Sequence, residues 1–343
     1  RRALIPAVSV ADLSSRSALK RHLWSGSAWA VSGKGFLAVS ELAIGALLAR
    51  ILAPHDLGGY FLLLSIVLFG ALAGSLGLAQ ATVRFVAEHL GRERRAQLRP
   101  IMKAVAELAV LGAVAAGGLY WLFGDVLVAR LFQAPALTAV TGLAAAWMAA
   151  TALQRLVAES LRGFHDIRNA TLYGGVLAAL LMILGLILLL RTEERADLDA
   201  VLRIAAGATW LSVLAGAGVV WRRLRTVEPS GRTGYREILR VAWPLLMINL
   251  TLFVLTQLDT WILAVFRPPQ EVAIYAAASR LALAMLLASS VLYAVLPPVI
   301  AEQHARNETA LLERMLRAGA TATAALAFPL FVAFVFFPDE ILM

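Results

Sequence analysis

A few charged residues interrupt stretches that are otherwise apolar enough to cross a bilayer, and these are the positions at which the chain could do chemistry. A charge within hydrocarbon is costly, so it usually faces a cavity or a partner. Lys34 lies seven residues inside an apolar stretch over 27–52. At a helical rise of ~1.5 Å per residue that is about 11 Å deep, further than a lysine comfortably snorkels. Facing a cavity, this cation would bind an anionic group; otherwise it snorkels in part or pairs with an acid. Glu41 follows seven residues later, on nearly the same helix face and close to the bilayer midplane. A carboxylate there either responds to protons or a cation or neutralises a neighbouring arginine.

Asp259 and Arg280 sit at matching depths on two successive spans. An antiparallel helix pair would bring them into a salt bridge, with a substrate contact as a second role for Arg280. Arg84, at the inner end of the second span, is placed to meet a diphosphate bidentately or to anchor the helix at the interface. Arg50, Arg155 and Arg162 read as span-end arginines, which are ordinary. Trp24, Trp29, Trp121, Trp221 and Tyr60 read as interfacial belt residues.

No catalytic residue, metal site or cofactor is expected. The chain has no cysteine, which removes thiolate ligands and thiol nucleophiles, and its five histidines are scattered near expected loops. The acidic 191–200 segment holds no nucleophile and base together.

The elements that must position these charges are transmembrane helices. The 343 residues are 60% hydrophobic and only 15% charged, with mean hydropathy +0.78, too apolar for a soluble domain. The excess falls into runs of about 20 residues, the length that spans a bilayer as a helix. Nine spans are expected, near 27–52, 60–83, 103–124, 134–157, 172–190, 200–221, 243–266, 273–297 and 318–337. Most lysines and arginines fall in alternate loops, which sets those loops and the N-terminus on the cytoplasmic side. This topology explains the net charge of +9 without nucleic acid. No signal peptide is read over 1–22.

At an offset of 214 residues the chain resembles itself: Trp29 falls on Trp243, Ala87-Glu88 on Ala301-Glu302, and Arg92 on Arg306. Six spans lie within that offset, so both copies would enter the membrane in the same direction. The expected organisation is an N-terminal cytoplasmic segment (1–22), a first six-helix lobe (23–225), a cytoplasmic linker (226–242) and a second lobe (243–343). The second lobe is expected to be truncated after three spans, from a parent of twelve or fourteen. Such a piece would be inactive by itself, with apolar faces left uncovered.

Leu48-Ala49-Arg50-Ile51-Leu52-Ala53-Pro54 and Asp56-Leu57-Gly58-Gly59-Tyr60 resemble the first loop of the oligosaccharide flippase (Wzx-like) family. Gly74-Ser75-Leu76-Gly77-Leu78-Ala79-Gln80-Ala81 and Val83-Arg84-Phe85-Val86-Ala87-Glu88 look like its second span and exit, while Gln257-Leu258-Asp259-Thr260 and Tyr275 to Leu281 are similar to its seventh and eighth spans. The likeness implies the multidrug/oligosaccharidyl-lipid/polysaccharide (MOP) superfamily, an all-α, MATE-like fold of two helical lobes forming a V around a cavity. It also implies a non-enzymatic transporter in the inner membrane that flips a polyprenyl-diphosphate-linked oligosaccharide between leaflets, alongside membrane lipid and polysaccharide assembly partners. Within that resemblance, Lys34, Glu41, Arg84 and Arg280 would line the cavity and Asp259 would be a structural or coupling charge. The other readings are multidrug/cation antiport on the same fold and an integral-membrane glycosyltransferase or polymerase.

Overall fold

The computed structural model describes residues 16–91, 95–132, 134–192, 197–225, 234–268 and 270–279, with isolated positions between 313 and 336. Those residues are helical and contain no strand. The helices are α1 (Arg16–Ile51), α2 (Pro54–Gly74), α3 (Leu78–Gly91), α4 (Arg95–Val126), α5 (Thr141–Gly163), α6 (Ile167–Thr171), α7 (Leu177–Thr192), α8 (Leu198–Leu224) and α9 (Tyr235–Phe266). Residues 270–279 form a further helical stretch. Among the described residues six helical stretches are long and apolar enough to cross a membrane. The expected first span is part of the 36-residue α1, which carries Lys34, Glu41 and Arg50 and is not one of the six. The expected eighth and ninth spans, and the second-copy residues 301–320 of the repeat, lie largely outside the described residues.

The bundle is organised around α2 and α5. Of the most apolar window of α2, 67% is buried inside the protein, against 17% for α9, so α2 is central and α9 peripheral. Pro54 starts α2 where its missing N–H is not needed, and Asp56 in the first turn suits the helix dipole. α2 and α4 nearly touch through their backbones, since a Cβ added to Gly112 would sit 2.2 Å from the Gly74 carbonyl oxygen. Small residues at such a crossing supply the dispersion contacts that hold helices together in lipid. Leu111, Leu122, Leu184, Leu214, Ile248 and Leu255 are exposed, as helix faces turned to hydrocarbon would be. Trp121 and Trp221 are also exposed, but Tyr60 is not at an interface: it is 4% exposed and its ring stacks on Trp147 at 6.1 Å.

Two of the expected spans are broken. The stretch over 60–83 is not one helix: α2 ends at Gly74, residues 75–77 turn, and α3 begins at Leu78. Leu76 and Gly77 both take positive φ, 51° and 71°, and the Ser75 hydroxyl donates to the Leu72 carbonyl at 2.7 Å. α9 enforces the turn. A Cβ on Gly77 would lie 2.1 Å from the Ala242 carbonyl oxygen, so only glycine lets the two backbones approach. The second break is a π-helical segment, Leu172–Val176, between α6 and α7. There the Tyr173 carbonyl accepts hydrogen bonds from Gln154 of α5 at 3.2 Å and Ser212 of α8 at 2.9 Å. Backbone released from the helical ladder is thus satisfied by neighbouring helices, as a membrane interior requires.

α9 packs along α2 and α3. The Trp261 indole donates to the Ser65 hydroxyl at 2.9 Å, the Trp261 ring meets Phe69 at 5.1 Å and Phe253 at 6.0 Å, and Ile238 and Ala242 bury against Leu78, Ala81 and Phe85. The Tyr235 hydroxyl donates to Glu107 of α4 at 2.6 Å. At the far end Ala264, Val272 and Ala276 join the main core with Leu62, Phe132 and Leu137, sealing that end with apolar contacts.

Candidate functional site

The two breaks face one cavity. Its volume is about 270 Å³, and it is walled by α1 with Lys34 and Leu37, the end of α2, the α2–α3 turn with Ser75 and Gly77, α3 with Gln80, α5, the α6 to π segment with Thr171 and Gly174, and α9 with Asn249. It lies toward the end of the bundle that carries the 164–166 turn, opposite the apolar seal. Discontinuous helices around a cavity are the form in which irregular backbone is tolerated at membrane depth, and the form transporters use to bind cargo.

α5 supplies most of the charge. Arg155, Glu159 and Arg162 recur at i, i+4 and i+7, so one face of the helix presents all three. Arg162 hydrogen-bonds to Glu159, which leaves Arg155 and Lys34 without a hydrogen bond or ion pair among the described residues. Three cations stand against one carboxylate in the wall, so the cavity carries a positive surplus. Its longest neutral polar side chains are Gln80 of α3 and Asn249 of α9. They bond reciprocally, Gln80 Nε2 to Asn249 Oδ1 at 3.2 Å and Asn249 Nδ2 to Gln80 Oε1 at 2.6 Å.

Of the expected site residues, Lys34 lines the cavity. Glu41 is exposed on α1 and Arg84 is exposed on α3, and neither belongs to the cavity wall. Asp259 on α9 accepts from the Tyr275 hydroxyl at 2.5 Å and from the Thr260 amide at 2.8 Å. Arg280, its expected partner, lies outside the described residues.

Arg155 and Arg162 read as span-end arginines on a fourth span over 134–157. α5 runs on to Gly163, so Arg155 sits eight residues inside it, ~12 Å from its end at the usual rise per residue. The i, i+4, i+7 spacing was the available signal for it. Among the described residues no group of three or more His, Cys, Asp or Glu is placed to hold a metal ion.

Residues 23–304 match the family described as "Polysaccharide biosynthesis protein". No curated protein matches the sequence. Among solved structures, the chain is similar to an inward-facing multidrug resistance MATE family transporter of the MOP superfamily, with TM-score 0.63 and 20% identity over 89% of this chain and 71% of that one. It is also similar to the MATE multidrug transporter DinF-BH, with TM-score 0.60 and 17% identity over 95% and 75% of the two chains. An outward-facing MATE transporter gives TM-score 0.55 and 18% identity over 94% and 73%. At these identities the likeness is one of fold.

Proposed function

Because this chain belongs to the polysaccharide biosynthesis protein family, we propose that it flips a polyprenyl-diphosphate-linked saccharide from the inner to the outer leaflet of the inner membrane, by alternating access. The coarser statement stands by itself: family and fold are those of a multi-pass membrane transporter of the MOP superfamily. What supports the finer reading is the pair of cations Lys34 and Arg155, neither hydrogen-bonded nor ion-paired among the described residues, in a wall with surplus positive charge beside two broken helices. A diphosphate offers several anionic oxygens, and guanidinium and ammonium donors bind them through short, charge-assisted hydrogen bonds. The polyprenyl tail stays in lipid while the head crosses.

The positive-inside rule places the arginine-rich loops in the cytoplasm, so the cavity faces the leaflet on which such lipids are assembled. On this reading Arg84, exposed on α3 four residues after Gln80, would meet the diphosphate as it enters, Arg280 is a further cation of the second lobe, and Glu41 and Asp259 are coupling or structural acids. Drug/cation antiport on the same fold fits less well, since a cationic cargo calls for an acidic wall. Proteoliposomes holding the full-length protein and a fluorescent undecaprenyl-diphosphate saccharide test the reading, with an impermeant quencher reporting the leaflet of the label. The expected result is transfer at least about tenfold faster than in protein-free vesicles, a gap worth ~1.4 kcal/mol of barrier. Equal rates would remove the flippase reading.

A further inference from the structure

We propose that Gln80 and Asn249 read the saccharide, exchanging their mutual hydrogen bonds for bonds to sugar hydroxyls; the inference rests on the flippase reading above. Charge selects the diphosphate but says nothing about the sugar. Of the wall's remaining polar side chains, the Ser75 hydroxyl donates to the Leu72 carbonyl, Glu159 accepts from Arg162, Lys34 and Arg155 are assigned to the diphosphate, and Thr171 offers one short hydroxyl. Gln80 and Asn249 are the two carboxamides in the wall.

Each carboxamide offers a donor and an acceptor side by side, which matches a hydroxyl that both donates and accepts. Their present bonds are to each other, at 3.2 and 2.6 Å, and the second donor of Asn249 serves the Leu245 carbonyl at 2.6 Å. The pair is therefore satisfied when the cavity is empty and costs little to keep there. It remains accessible, since Gln80 is exposed to the cavity.

The pair also straddles the junction of α3 with α9. A sugar seated between these helices would replace one interhelical contact by two contacts to itself. Opposite the sugar, Lys34 and Arg155 belong to α1 and α5, so head and sugar are read by different elements of the same wall.

The test compares binding of undecaprenyl diphosphate with binding of the same lipid carrying glucose, galactose or N-acetylglucosamine, by the whole protein in detergent. The double substitution Gln80→Leu with Asn249→Leu removes both partners together and leaves an apolar contact of similar size, so no unpaired amide is left to unfold the protein. The wild type is expected to bind at least one of the sugar-bearing lipids about tenfold tighter than the bare diphosphate, the worth of one or two net hydrogen bonds. The double variant is expected to lose that preference while holding the bare lipid within about twofold of wild type. Retention of the preference by the double variant overturns the inference, as does an equal loss for bare and sugar-bearing lipids, which marks the pair as structural. A wild type that binds the diphosphate but ignores the sugar overturns it and leaves the flippase reading standing, whereas a wild type that binds neither lipid overturns both.

Discussion

Replacing Arg155 with alanine is expected to slow transfer of a diphosphate-linked saccharide by about 10- to 100-fold, the cost of one charge-assisted hydrogen bond at ~1.5–3 kcal/mol. The guanidinium lines the cavity with no hydrogen bond or ion pair among the described residues, and Glu159, the acid whose charge acts on it, keeps its pair with Arg162 when Arg155 is removed. Stability is therefore expected to hold while activity falls, and thermal unfolding in detergent separates the two. Lys34→Ala acts in the same direction. The double variant is expected to fall further than either single one, because both cations are assigned to the same anion. Arg155→Lys keeps the charge but loses the planar fork that grips two oxygens at once, and should recover only part of the rate. A double variant that transfers at the wild-type rate would mean that the diphosphate does not pass through this cavity.

The second large effect belongs to the backbone. Gly77→Val is expected to destabilise the protein by about 3 kcal/mol or more, read as a marked fall in the melting temperature of the purified protein. Two penalties act together. The position holds φ of 71°, which a β-branched residue resists, and the new Cβ would lie 2.1 Å from the Ala242 carbonyl oxygen and 2.8 Å from the Leu246 amide nitrogen. Backbone on both sides leaves no flexible side chain to yield. Relief requires α9 to move away from α3, which would also part Gln80 from Asn249 and loosen the Trp261 and Phe69 contact. Gly77→Ala should show the same loss in milder form. If that alanine variant melts with the wild type, the turn at 75–77 is not held by α9.

Helices were legible in the sequence because their signal is local. Runs of about 20 apolar residues between charged clusters announce spans whatever their neighbours do. The depth of Lys34 inside its run marks it as a candidate for the same local reason. The breaks are a different matter. Residues 60–83 carry no charge from end to end, and what splits them is the approach of α9, some 165 residues further on, to Gly77; a contact that distant in sequence leaves no local signal.

Arg155 shows how far a helix can extend past the apolar run read from the sequence. Its charge, with Glu159 and Arg162 after it, looked like the edge of a span, although the helix simply continues with its charged face turned to the cavity. Tyr60 shows the converse. A tyrosine near the expected end of a span reads as an interfacial anchor, yet α2 begins earlier, at Pro54, which carries the ring into the core against Trp147.

The direct measurement is chemical protection. The sequence has no cysteine, so Leu37→Cys, in the cavity wall beside Lys34, places a single thiol in an otherwise thiol-free protein. The account predicts that an impermeant maleimide supplied from the arginine-rich side labels it, and that undecaprenyl-diphosphate-linked saccharide slows the labelling while undecaprenol does not. Labelling that ignores the diphosphate lipid, or that is slowed equally by the uncharged alcohol, would contradict it.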